Sequence, residues 1–166
     1  MTSGDRPVPP RTVVPGEFSA WRAFLTAHAA AVRVLGAELE ASEAMPLSWY
    51  DVLVQLSEAP ARELRMSELA DAVLLSRSGL TRLVDRLERE GLVQRRPCLD
   101  DARGTLAALT EAGLDRLRAA APVHLRGVRE HFTSRFDADE LAVLGELLGR
   151  IGVPEMARPG PRPDPW

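Results

Sequence analysis

The residues best equipped for chemistry lie between Ser76 and Arg89. Place Arg77 at 0° and advance about 100° per residue along a helix. Ser78, Thr81, Arg82, Asp85 and Arg89 then fall at about 40–140°, and Leu80, Leu83, Val84 and Leu87 at about 240–340°. One face is apolar and packs inward. The other carries short hydroxyls near its start and Arg further along. Hydroxyls and the free N–H groups of a first helical turn bind phosphate. A guanidinium reaches guanine O6 and N7 with two hydrogen bonds. The competing reading is a solvated face with i, i+4 pairs such as Asp85–Arg89. Charge favours the first: residues 76–103 carry a net +2, against −5 over the remainder of the chain.

Around this helix the chain is punctuated as a small mixed module. Ser48, with Asp51 three residues on, is the predicted N-cap of a helix that stops before Pro60. Another begins at Ser67 and carries Leu69, Ala70 and Val73. A tight corner through Leu74 and Leu75 leads to the cap Ser76, and Gly91 is the expected left-handed stop. Leu92 to Arg96 and Thr105 to Leu109 read as two short strands joined by the turn-rich segment 97–104. Three helices followed by a hairpin is the order of a winged helix-turn-helix. The hairpin adds Arg95, Arg96 and Arg103. An Arg at a wing tip suits a narrow minor groove, and Asp101 is placed to steady Arg103.

Long helices bracket the module. Phe18, Trp21, Leu25, His28, Val32, Leu35 and Leu39 recur at alternating spacings of three and four, a seam for helix-to-helix packing. Thr110 caps a helix carrying Leu114, Leu117, Ala121, Leu125, Val128 and Phe132, with a kink expected at Pro122. Asp137 and Glu140 start the last helix, whose seam is Leu141, Leu144, Leu148 and Ile151. These seams lie far in sequence from the module, whose core of about 65 residues is small. They therefore predict a two-fold homodimer. Nine of the 13 prolines fall in two terminal tails, which are expected to be disordered. The fold class is mainly α with a small β-wing. Its predicted parts are a tail over 1–16, a dimerisation helix over 17–45, the winged module over 46–110, dimerisation helices over 111–152, and a tail over 153–166.

Composition excludes several functions. The chain has 166 residues, a net charge of −3, and 21 basic residues that are all Arg. No apolar run approaches the roughly 18 residues of a membrane span, and no export signal is visible. The lone Cys98 forms no intrachain disulfide and reads as a tolerated thiol. These features predict a cytoplasmic protein away from membranes. No phosphate-binding Gly loop, nucleophile motif or metal-ligand spacing is present, so neither an enzyme nor a cofactor is expected. The alternative to DNA binding is a winged helix used for protein–protein contact.

The runs Leu64–Val73 (LRMSELADAV) and Leu75–Val93 (LSRSGLTRLVDRLEREGLV) resemble the multiple-antibiotic-resistance regulator (MarR) family. So does Asp101-Ala102-Arg103 leading into Leu109–Gly113 (LTEAG). The resemblance spans about residues 17–152 and is most specific over 64–113. It implies a homodimeric transcriptional regulator on double-stranded DNA, responsive to a small aromatic or phenolic effector and acting as a repressor. Carried over by motif, Ser76, Arg77, Ser78, Thr81 and Arg82 read the major groove. Arg103 enters the minor groove, Ser67 meets phosphate, and Arg95 and Arg96 are weaker contacts along the wing. Candidate effector residues are Trp21, His28, Trp49, Tyr50 and Asp51, with packing as the competing role of each. A trio of Trp21, Asp51 and Arg96 resembles the site of urate-sensing relatives.

Overall fold

The computed structural model describes residues 16–73, 75–98 and 104–151. The expected tails, apart from Gly16, lie outside them, as do Leu74, Asp101 and Arg103. The described residues form six α-helices and a three-stranded antiparallel sheet: α1 (Glu17–Glu43), α2 (Leu47–Glu58), β1 (Glu63–Arg65), α3 (Met66–Ala72), α4 (Arg77–Arg89), β2 (Val93–Pro97), β3 (Thr105–Leu109), α5 (Glu111–His131) and α6 (Ala138–Gly149). Strand order is β1-β3-β2. This is the winged helix with flanking helices that the pattern predicts.

One core unites the module with its supports. Leu53, Leu56, Leu69, Leu80, Leu87 and Val93 are fully or almost fully buried, and Leu39 of α1 and Leu117 of α5 join them. The predicted apolar side of α4 is the buried one: Leu80, Leu83, Val84 and Leu87 all lie inside. Ser76 caps α4 by accepting from the Gly79 N–H at 3.1 Å, and Gly91 leaves the helix at φ 72°.

Thr110 ties α5 to the wing. Its hydroxyl accepts from the Gly113 N–H at 2.9 Å and reaches the carbonyls of Gly91 and Leu92 at 2.7 and 3.0 Å. The first turn of α5 therefore presses on the end of α4. A Cβ at Gly113 would collide with the Leu92 carbonyl oxygen, so glycine is required there by close approach. The flanking helices are joined by polar contacts: His131 Nε2 lies 2.6 Å from Glu38 Oε1, and Arg116 donates to Glu43 at 3.0 Å.

Two predicted helix starts need correction, and the sheet has one strand more than expected. Helix α2 starts at Leu47, with Pro46 rather than Ser48 at its cap. The Pro46 ring fixes φ at −59°, and its carbonyl accepts from Trp49 and Tyr50 at 2.9 and 3.2 Å, so the turn forms one residue early. Helix α3 starts at Met66, not Ser67, because the Glu68 carboxylate accepts from the Arg65 N–H at 3.0 Å. Strand β1 was not foreseen; it exists through pairing with β3, Glu63 to Ala108 and Arg65 to Leu106. Helix α5 continues through Pro122, which sits on the exposed side with Arg118 one turn before it.

Candidate nucleic-acid interface

The outer face of α4 is held away from the core by the four leucine and valine side chains beneath it. Ser76, Arg77, Ser78, Thr81 and Arg82 are all exposed on it. The hydroxyls of Ser76 and Ser78 lie 3.4 Å apart at the helix start. The Thr81 hydroxyl donates back to the Arg77 carbonyl at 2.9 Å. Arg82 lies along the helix, its Nε donating to the Ser78 carbonyl at 3.4 Å. The Arg77 and Arg86 side chains make no hydrogen bond or ion pair among the described residues.

Beside α4 runs an open groove of about 430 Å³, lined by Arg65, Met66, Ser67, Thr81, Arg95, Gly104 and Thr105. The structure thus brings Ser67, Thr81 and Arg95 to one concave polar surface. Arg65 belongs to it too and was missed from sequence, because a residue before a helix gives no periodic signal. At the wing base the Cys98 N–H donates to the Gly104 carbonyl at 3.0 Å, and the Cys98 side chain is buried. Asp101 and Arg103 lie outside the described residues.

The two wing arginines differ. Arg96 is exposed and lies 3.5 Å from Glu63. Arg95 is engaged with α4: it donates to Asp85 at 2.6 Å, to Glu88 at 2.5 Å and to the Thr81 carbonyl at 3.2 Å. The anticipated Asp85–Arg89 ion pair is replaced by this arrangement. Arg89 Nε instead donates to the main-chain carbonyl of Asp85 at 3.2 Å. Sequence spacing favoured the i, i+4 partner, but the wing strand brings a second guanidinium closer.

The candidate effector residues form two groups rather than one. Trp21 and His28 stand on the outer half of α1, stacked through Phe24 with ring centroids 6.0 and 6.2 Å apart. Trp49, Tyr50 and Asp51 lie near the start of α2. Tyr50 is buried against the His124 ring of α5 at 4.4 Å, and Trp49 packs on the core. Asp51 keeps solvent-facing surface, yet the surrounding protein withdraws enough water to raise its carboxyl to about 6. Trp21, Asp51 and Arg96 share no hydrogen bond or ring contact.

A helix-turn-helix whose second helix exposes hydroxyls and arginines, followed by a hairpin wing, defines a winged-helix protein. Comparison with known proteins narrows this further. The MarR family profile matches residues 45–104. The fold superposes on Sco3205 of Streptomyces coelicolor, a MarR family transcriptional regulator solved in complex with DNA. The TM-score is 0.78, with 36% identity over 89% of this chain and 91% of that one. AbsC of the same organism, also a MarR family regulator, gives a TM-score of 0.77 at 35% identity over 86% of this chain and 95% of its own. The HTH-type transcriptional regulator MhqR of Bacillus subtilis is 31% identical over 88 residues, which are 53% of this chain and 60% of MhqR. The chain belongs to the MarR family of transcriptional regulators, and is not an enzyme. No helix among the described residues is long and apolar enough to cross a membrane.

Proposed function

We propose that the protein is a homodimeric repressor that binds a pseudo-palindromic operator in double-stranded DNA and is released by a small aromatic or phenolic effector. The observation that carries the DNA part is the outer face of α4, exposed along its length while its inner face is wholly committed to the core. In this reading α4 lies in the major groove. Ser76, Arg77 and Ser78 approach the backbone at its first turn, and Arg82 reaches base edges. Ser67 and Thr81 line the phosphate-facing groove, Arg96 flanks it, and Arg103, steadied by Asp101, enters the minor groove. That Sco3205, a similar MarR family regulator, was solved in complex with DNA supports DNA as the partner.

Support for the dimer comes from apolar side chains left uncovered on the flanking helices. Phe18, Trp21, Leu25 and Val32 of α1, and Val143, Leu147 and Leu148 of α6 with Ile151 just beyond it, are all exposed. Helix α6 contributes no buried residue to its own chain. A second copy would cover these seams and set two reading helices about 34–36 Å apart. The effector part rests on the family resemblance and on the α2 corner, where half-buried Trp49 stands near Asp51, a carboxyl whose proton is held more tightly than usual.

Selection of bound duplexes from a random pool tests the reading. The expected outcome is an inverted repeat with half-sites about one helical turn apart. Recovery of unrelated sequences would reduce the interaction to charge, and no recovery at low salt would leave a winged helix that binds protein instead. Adding phenols and aromatic carboxylates to the selected complex should release the DNA.

A further inference from the structure

A single side chain joins the wing to the reading helix. Arg95 of β2 meets Thr81, Asp85 and Glu88, which lie on successive turns of α4 at about 40°, 80° and 20° on the helical wheel. Its NH1 donates to Glu88 Oε2 at 2.5 Å, and its NH2 to Asp85 Oδ1 and the Thr81 carbonyl at 2.6 and 3.2 Å. Its main-chain N–H donates to the other Glu88 oxygen at 3.0 Å. Strand β2 is an edge of the sheet, so this carboxylate covers a backbone donor that a strand edge leaves open. The planar guanidinium supplies a fork of donors that a Lys ammonium does not reproduce.

We propose that Arg95 is a positioning residue for DNA reading, acting through Asp85 and Glu88 and not by touching DNA. This rests on the function proposed above and deepens it. Two facts set Arg95 apart from its neighbour Arg96: its side chain is 25% exposed against 54%, and its donors are already directed at three acceptors. Turning that fork towards a phosphate would strand two carboxylates beside the DNA backbone. Held as it is, Arg95 sets the angle between wing and helix. It also neutralises the only two acids on the α4 stripe that faces the wing. The polar arc of α4 is thereby divided. Its edge near Thr81, Asp85 and Glu88 belongs to the wing, and its centre near Ser78 and Arg82 is left for bases.

A mutant cycle on the selected duplex tests this, with affinities from fluorescence anisotropy. Arg95→Met should weaken binding about tenfold in the natural background, yet less than about twofold when Asp85→Asn and Glu88→Gln are already present. An equal loss in both backgrounds would make Arg95 a direct DNA contact, and no loss in either would remove it from the interface. Both outcomes overturn the proposal. Hydrogen exchange in the free protein reads the same clamp without DNA. Glu88→Ala should speed exchange of the Arg95 amide at least about tenfold, and unchanged exchange overturns the clamp even if Arg95→Met fails to fold. If the natural protein binds no duplex, the functional reading fails while exchange still decides the clamp.

Discussion

Leu53 and Leu80 in the winged module are fully buried, whereas Trp21 of α1 and Ile151 just past α6 stand 53% and 66% exposed. Both regions carry apolar residues at helical spacing, and sequence alone does not rank them. The difference shows which stripes are answered inside one chain. The module closes its own core with α2, α3, α4, the sheet and the inner ends of α1 and α5. Among the described residues, the outer half of α1 is exposed and no residue of α6 is fully buried. The same stripe on α1 passes from exposed Trp21 to buried Leu39, so a single helix belongs to both regions.

The largest effect that separates the regions is expected from deleting residues 137–166. The module should still melt cooperatively, because α6 buries nothing in it. Sedimentation should show a monomer, and affinity for the selected duplex should fall at least about 100-fold as two half-sites are no longer linked. A truncated chain that remains dimeric would assign the interface to α1 and α5 alone.

Next come substitutions within each region. Leu80→Ala leaves a cavity in a closed core and should cost about 2–5 kcal/mol in urea melts. Trp21→Ala should change the stability of the monomer by less than about 0.5 kcal/mol. Its effect should appear as a dimer dissociation constant raised about tenfold or more. Reversal of the two results would mean that the exposed stripe is a solvated surface.

The reading helix permits a finer comparison between two arginines of the same charge. Arg82 lies near the middle of the polar arc, at about 140°, and Arg86 at its edge, at about 180°. Arg82→Ala should cost about 1–3 kcal/mol on the selected duplex and relax preference at one base position per half-site. Arg86→Ala should weaken all duplexes alike, or do little. Equal losses on selected and random DNA for both variants would show that charge alone drives binding.

The parts of this design that were legible in sequence are those fixed by local chemistry. Ser76, Thr110 and the Asp137–Glu140 pair cap helices where their types and spacing predict, with Asp137 accepting from Glu140 at 2.8 Å. Gly91 takes the left-handed conformation expected of a helix stop. What sequence could not show depends on distant partners. Strand β1 is three residues long and has no alternation of its own; β3 makes it a strand. Asp85 has two candidate arginines, and only the placement of β2 selects Arg95 over Arg89. The candidate effector residues split for the same reason: spacing along α1 and α2 says nothing of the distance between Trp21 and the α2 corner.

The smallest expected effect lies at the junction of the two regions, where Asp51 on α2 neighbours Tyr50 and its partner ring on α5. Desolvation raises the Asp51 carboxyl from 3.8 to about 6. The fold therefore binds this proton more tightly than the unfolded chain does. That contribution favours the fold fully below about pH 4 and is lost as pH rises through about 6, above which the ionised group is a burden. Asp51→Asn removes the burden, so the variant should be the more stable form at pH 7–8, with the difference closing below pH 4. A shift of this size corresponds to about 3 kcal/mol at most. Because the carboxyl is partly exposed, solvent screening should reduce that to about 1 kcal/mol or less. Thermal melts of both forms from pH 4 to 8 measure it. If a second copy or an effector covers the α2 corner, Asp51 loses more water and the pH dependence steepens with protein or effector concentration. A difference that stays flat with pH would show that Asp51 is solvated, and that the corner between module and flank is open to water.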